Sequence, residues 1–353
     1  MALWTDIMDP VEATGIARAE QYVIEQEKGP TLAAFLPNVF VASHYVEFVA
    51  NAAAGLVDVA HYRAYNSPPK IGKAEGGQRK TITLPAISRN EPINEAEQMA
   101  WNSLTDDQKY KSVEKAIRRN VQAIASRQEL SRGIAIETGK VYWEDAVAAG
   151  SAVDYILNDD FGRDAAMSIT APALWSVTAT DRLDQLETWC QAYAAKNAQV
   201  RPGGIVMSRQ AFNALRRGDQ FKITFAGGGS AMLPADDVRD RITAEGLPEI
   251  HLYDRQVSVN GASRAVLDPT KIFLLPTATD PNNEDGTDLG ATYWGRTVSS
   301  QYASWAIEPS EQPGIVAGVF GEESVGASIE VQADSIGEPV LRNANAAMAV
   351  KVL

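Results

Sequence analysis

Residues 57–87 read VDVAHYRAYNSPPKIGKAEGGQRKTITLPAI, and how this stretch folds decides the architecture. Its two ends, 57–65 and 79–87, have extended character, and the Pro/Gly-rich interval 66–78 between them has the composition of a tip. The stretch therefore predicts a long two-stranded hairpin. In its second strand Ile82 and Leu84 alternate with Thr81 and Thr83, which gives one apolar face, while Lys70, Lys73, Arg79 and Lys80 make the tip and its exit basic. A lone ribbon of this kind is marginal in water until its apolar face is covered. Either the chain's own body covers it or a neighbouring molecule does. In the second case the contact residues are Lys70, Ile71, Lys73, Arg79, Ile82 and Leu84.

Upstream, Asp9, Pro10 and Glu12 form a helix start, with an Asp cap, Pro at the first helical position and an acid at the positive end of the dipole; Gly29 and Pro30 stop it. Its stripe of Val11, Ala19 and Val23 is thin, which suits an arm lying on something else or a helix docked on its own body. Downstream, Thr105 and Gln108 make a capping-box pair heading a long helix that runs to Gly139. Val113, Ile117, Val121 and Ile124 keep one side apolar; Lys115, Arg118, Arg119 and Arg127 spread around the other. A second amphipathic helix spans 181–197, with Leu183, Leu186, Cys190 and Tyr193 on one face, which reads Cys190 as core packing rather than a nucleophile. Beyond Arg201 to Gly204 come a buried strand at 205–207, a helix capped by Ser208 and running through Arg217, and another helix at 236–244. Extended segments follow at 249–259 and 271–275, the first with an Asn260-Gly261 hairpin turn after Val259. The chain closes with β-like stretches at 314–320, 327–333 and 346–353. Helices and strands do not alternate regularly, so the order predicts an α+β fold rather than a doubly wound one.

With 353 residues, 45% of them apolar, the chain can fill one large core or two modest ones. A formal charge of -13 opposes binding to a phosphate backbone, which rules against sequence-reading of nucleic acid and decides little else. The single Cys190 makes no internal disulfide, and His44, His61 and His251 are too scattered for a zinc site. The first ten residues lack a basic-then-apolar signal, and no apolar run approaches the roughly 18 residues of a membrane span, so cytoplasmic folding is expected. Gly227, Gly228, Gly229 and Ser230 lack the Gly-Lys-Ser/Thr of a phosphate loop. The acidic run 280–288 fails as a calcium loop: with Gly286 at the sixth position, Pro281 and Thr292 fall where carboxylates are required. The pairs Asp106/Asp107, Asp159/Asp160 and Asp236/Asp237 sit at helix starts and polar turns, and no nucleophile elbow is present. No catalytic residue, cofactor or metal is expected.

Three blocks carry a family likeness. Phe35-Leu36-Pro37-Asn38 precedes the hairpin that ends Thr81-Ile82-Thr83-Leu84-Pro85; the long helix closes on Glu137-Thr138-Gly139-Lys140-Val141, with Ile205-Val206-Met207-Ser208 downstream; and Glu338-Pro339-Val340-Leu341 leads to Asn345-Ala346. In this order they resemble the tailed-phage major capsid protein E family, the lambda-like branch of phage shell proteins. The resemblance implies a Hong Kong 97 type capsid fold, divided into an N-terminal arm (1–34), a peripheral domain (35–56, 91–175 with a spine helix, and 305–353), an extended loop (57–90) and an axial domain (176–304) holding the acidic loop. It implies a subunit that assembles with copies of itself, as pentamers and hexamers, into an icosahedral head around double-stranded DNA. Decoration, scaffold and portal proteins are its candidate partners, there is no membrane, assembly takes place in the host cytoplasm and the protein ends in the virion. Some relatives of this fold join a loop lysine to an asparagine, which would pair Lys70 or Lys73 with Asn343 or Asn345; lambda-like shells resemble those reinforced by a decoration protein instead, so no such bond is expected. The rival readings are the shell of a cellular nanocompartment holding enzyme cargo and a soluble enzyme or binding domain.

Overall fold

The long helix, Asp106–Thr138, is the element against which the others are arranged. The computed structural model describes residues 2–3, 7–26, 31–50, 60–68, 78–101, 103–143, 157–224, 230–321 and 329–353. Thr105 and Gln108 form the reciprocal capping box, and Gly139, at φ 73°, ends the helix with its N–H on the Ala135 carbonyl. Val113, Ile117, Val121 and Ile124 are all buried, as their spacing predicts. They pack against one face of a sheet and against an N-terminal helix, Pro10–Gln26. Gly133 has a packing role at this helix's other end. A Cβ there would lie 2.4 Å from the Val266 carbonyl oxygen. Gly133→Ala, which in an open helix would gain up to about 1 kcal/mol, is expected instead to cost about 1–3 kcal/mol by overpacking, read by urea denaturation.

Two sheets flank this axis. In the six-stranded sheet the 13-residue strand Ile329–Leu341 is central. Its first half lies between Ala86–Ile93 and Val316–Gly321, and its second half pairs with Gly290–Gly295, which in turn runs parallel to Asn38–Phe40; Ala2–Leu3 completes the outer edge. The strand tolerates Pro339 for a geometric reason. Its partner Thr292 turns its N–H away, to the Pro37 carbonyl, so this is a non-hydrogen-bonded pair and the missing proline N–H removes no rung. The five-stranded sheet has the order Glu249–Leu252, Gly204–Met207, Lys271–Leu275, Met348–Lys351, Ser168–Thr170. Helices Arg182–Lys196, Arg209–Arg216 and Ala235–Ala244 bury Leu186, Trp189, Leu215 and Ile242 in the apolar cluster this sheet shares. Asn260 and Gly261, at φ 51° and 81°, make the expected tight turn between Gln256–Val259 and Ala262–Ala265.

Three expectations are corrected here. The N-terminal helix docks on its own body through Ala13, Thr14, Ala17, Gln21 and Ile24, not through Val11, Ala19 and Val23; Val11 is exposed. Its seat is built from small residues and satisfied polar ones, which a count of large apolar side chains overlooks: Glu20 accepts from Arg118 (2.7 Å) and Gln122 (2.8 Å). The strand Gly290–Gly295, placed by the sequence with the axial segment, belongs to the six-stranded sheet, and the acidic loop before it lies there too, with Pro281 accepting from the Asn38 N–H. Conversely Met348–Lys351, expected among the peripheral strands, sits inside the five-stranded sheet.

A buried polar network joins these parts. Arg132 and Glu129 are each 1% exposed. Glu129 accepts from Arg132 (3.2 Å), from the Tyr253 hydroxyl (2.6 Å) and from the Leu32 N–H (2.8 Å). Arg132 donates to Thr292 (2.8 Å), Asn38 (2.6 Å) and Glu25 (3.4 Å), and Asn38 also donates to Glu25 and accepts from Trp294 (2.7 Å). Two acids therefore share one guanidinium. Burial raises the Glu25 carboxyl above its ordinary range, against the lowering effect of Arg132.

Candidate assembly surface

The extended loop is rooted by Tyr45–Ala50 and Gln78–Thr83, paired antiparallel from Tyr45 opposite Thr83 to Ala50 opposite Gln78. This corrects the predicted first strand at 57–65: residues 60–64 form no strand, and 57–59 lie outside the described residues. Tyr45–Ala50 alternates as a half-covered strand must, with Val46, Phe48 and Ala50 buried and Tyr45, Glu47 and Val49 exposed. The second segment is also two strands rather than one. Pro85, without an N–H, separates Gln78–Thr83 in the hairpin from Ala86–Ile93 in the six-stranded sheet; the Leu84 N–H goes to His44 and the Pro85 carbonyl to Gly337.

The six candidate contact residues divide accordingly. Lys70, Ile71 and Lys73 lie outside the described residues. Ile82 (7% exposed) and Leu84 (4%) do form the apolar face that alternation predicts, but the chain itself covers it: they join Val46, Phe48, Val141 and Phe161 in one core cluster. They hold the root of the loop in place and are corrected from interface to core. Arg79 is exposed and ion-paired with Glu47 across the strands, and Lys80 donates to the Asp160 carbonyl (2.8 Å). Residues 60–68 are the described part of the loop beyond the root. A turn at Asn66, φ 65°, is held by local bonds, Ser67 Oγ to the Ala64 carbonyl (2.8 Å) and Arg63 to the Ser67 carbonyl (2.7 Å). It displays Tyr62 and Tyr65, both fully exposed. Sequence reading passed over these two tyrosines; their signal was aromatic rings in an otherwise polar, Pro-rich tip.

Other candidates resolve into structure. Cys190 is buried, and burial pushes its thiol up to about 11, consistent with core packing. Asp106, Asp107, Asp236 and Asp237 occupy first turns of helices. Asp159 does not stay in a solvated turn; it meets Glu338, an acid the sequence did not single out. Asn343 donates to Asn197 (2.9 Å) and Asn345 accepts from the Asp164 N–H (2.8 Å), so both asparagines are engaged within the chain. The glycines Gly227 to Gly229 lie outside the described residues. Among the described residues, no three His, Cys, Asp or Glu side chains converge as metal ligands would, and no helix is long and apolar enough to cross a membrane.

An exposed loop on a buried root, a long helix and two sheets form an arrangement that can be compared with known proteins. Residues 41–284 match the family model of phage major capsid protein E. The chain belongs to that family. Its fold is the α+β fold of tailed-phage capsid proteins. A protein assigned as a prophage capsid protein from E. coli CFT073 superimposes with a TM-score of 0.63 at 15% identity, covering 98% of this chain and 99% of that one. A phage-related protein from Bordetella bronchiseptica RB50 gives 0.57 at 16% identity, covering 99% and 98%. The capsid subunit of a native GTA particle gives 0.50 at 11%, covering 91% and 89%. A comparison with curated protein sequences returns no match. As a member of the phage major capsid protein E family, the chain is a capsid shell protein, a structural component of a bacteriophage head.

Proposed function

We propose that the chain builds an icosahedral phage head from pentamers and hexamers of itself, around packaged double-stranded DNA, and performs no catalysis. The observation that carries this beyond family membership is the loop at 60–68. Its backbone turn is satisfied locally, yet its two tyrosines contribute no buried area to the chain that bears them. Aromatic side chains displayed this way are the usual anchors of protein interfaces. A contact in which the loop of one subunit meets a different surface on the next is heterologous, and such contacts close into rings when the rotation allows.

In this reading the six-stranded sheet and long helix form the peripheral part of the subunit, and the five-stranded sheet with its three helices forms the axial part. The loop reaches an adjacent subunit. The net charge of -13 keeps DNA contact non-specific. Assembly in the host cytoplasm, and decoration, scaffold and portal partners, belong to the same proposal. Negative-stain electron microscopy and sedimentation of the purified protein test it: closed particles tens of nanometres across are expected, and a protein that stays monomeric under all assembly conditions, scaffold included, would overturn it.

A further inference from the structure

A buried acid without a hydrogen-bond donor lies on the central strand of the six-stranded sheet. Glu338, on the long strand Ile329–Leu341, is 1% exposed, and neither of its carboxyl oxygens receives a hydrogen bond from an N–H or neutral O–H among the described residues. The group that meets it is a second acid, Asp159, on the strand Asn158–Asp160. Asp159 is half-buried; two carboxylates in contact there repel each other and Glu338 lacks a donor, and one proton between them makes one acid a donor to the other and removes both costs. Asp159 belongs to the short hairpin Lys140–Tyr142/Asn158–Asp160 that follows the long helix, so this contact joins that hairpin to the central strand.

We propose that Asp159 and Glu338 form a proton-held latch, which fastens this hairpin to the long strand and releases it when the shared proton is lost. The other charged and titratable groups facing the pair fit this role. Lys80, from the root of the extended loop, lowers the Asp159 carboxyl and balances the single negative charge the pair keeps. Lys140 is committed to Asp160 (2.7 Å). Arg127 of the long helix stacks over the Trp143 ring, 3.1 Å from its centroid. Tyr293, opposite Glu338 on the neighbouring strand, accepts from Arg342 (2.7 Å). None of these supplies the missing donor. A cavity of about 390 Å³, lined by Glu338, Arg127, Tyr142, Trp143 and Leu157, lies between Glu338 and the Tyr142 end of the hairpin.

Burial first, then the Asp159 charge, push the Glu338 carboxyl from 4.5 up to about 9, and burial also raises Asp159. The sign follows. The closed latch holds a proton that the open one releases between those two values, so closure is favoured at low pH and lost as pH rises towards about 9. The test is hydrogen exchange at the amides of 140–142 and 158–160 between pH 6 and pH 9, corrected for the intrinsic pH dependence of exchange. The opening constant should rise about tenfold per pH unit in the native protein and lose that slope in Glu338→Gln, whose amide donates without titrating. An equal slope in both, or none in the native protein, overturns the latch. Should Glu338→Gln fail to fold, infrared spectroscopy of the unmodified protein decides: a protonated-carboxyl band present at pH 7 and fading as pH passes 9 supports the proposal, and its absence at pH 7 refutes it.

Discussion

Arg132→Met is expected to destabilise the folded chain by about 3–5 kcal/mol, seen as a lower urea midpoint at unchanged slope. The substitution keeps most of the side-chain volume, so the loss comes from charge. It strands Glu129 and Glu25 in the interior without their cation and removes a donor from Thr292 and two from the carboxylates. A triple substitution separates this from packing. Adding Glu129→Gln and Glu25→Gln to Arg132→Met makes the site neutral, and part of the lost stability should return, because an ion network contributes little net stability while a broken one is costly. A single-variant cost below about 1 kcal/mol would show that water, not the guanidinium, solvates these acids. The network gathers the N-terminal helix, the segment after it, the long helix, the strand Gly290–Gly295 and Tyr253 at one point, so its loss should lower the stability of the whole chain as one unit rather than fray one edge.

Replacing Tyr62 and Tyr65 together by serine is expected to do the opposite: leave stability within about 0.5 kcal/mol and abolish shell formation. The first half follows from their full exposure, which means that folding buries nothing of either ring. The second follows from the proposed interface. Truncating an anchoring tyrosine typically costs about 2 kcal/mol or more per contact, and a closed shell repeats the contact in every subunit, so a moderate loss per site becomes a complete loss of particles. Parallel thermal melts and electron microscopy decide it. Particles of normal yield from the double variant would remove this part of the loop from assembly; a large drop in melting temperature would show that the rings are core residues after all. In the same melts Arg79→Ala should lower stability by at most about 1 kcal/mol, since its ion pair with Glu47 is exposed.

What could be read from the sequence follows the range of the interactions involved. The long helix was legible to the residue, because Thr105, Gln108 and Gly139 signal its ends through contacts three or four positions away. The same holds for Asp181, Ser208 and the Asn260-Gly261 turn. The root of the loop was half legible: alternation at 81–84 gave the correct faces, but its partner was placed at 57–65 because exposed Tyr45 and Val49 conceal the alternation of Tyr45–Ala50. The second half of the long strand was missed because Pro339 argues against a strand until Thr292 is known to face the other way. Neither the Arg132 network nor the meeting of Asp159 with Glu338 leaves a local trace, since each depends on acids brought together from distant parts of the chain. For Ile82 and Leu84 alternation marks the covered face and leaves open whether the chain or a neighbour covers it, since periodicity gives the side that is covered and not the identity of the cover; the cover is the chain's own core.

The passage of one run of backbone from Gln78–Thr83 through Leu84 and Pro85 into Ala86–Ile93 has a mechanical consequence. No slack intervenes between the outer hairpin and the eight residue pairs that bind Ala86–Ile93 to Ile329–Leu341. A pull along Gln78–Thr83 thus loads all those pairs together as lengthwise sliding instead of unzipping them in turn, so the root of the loop is anchored in shear.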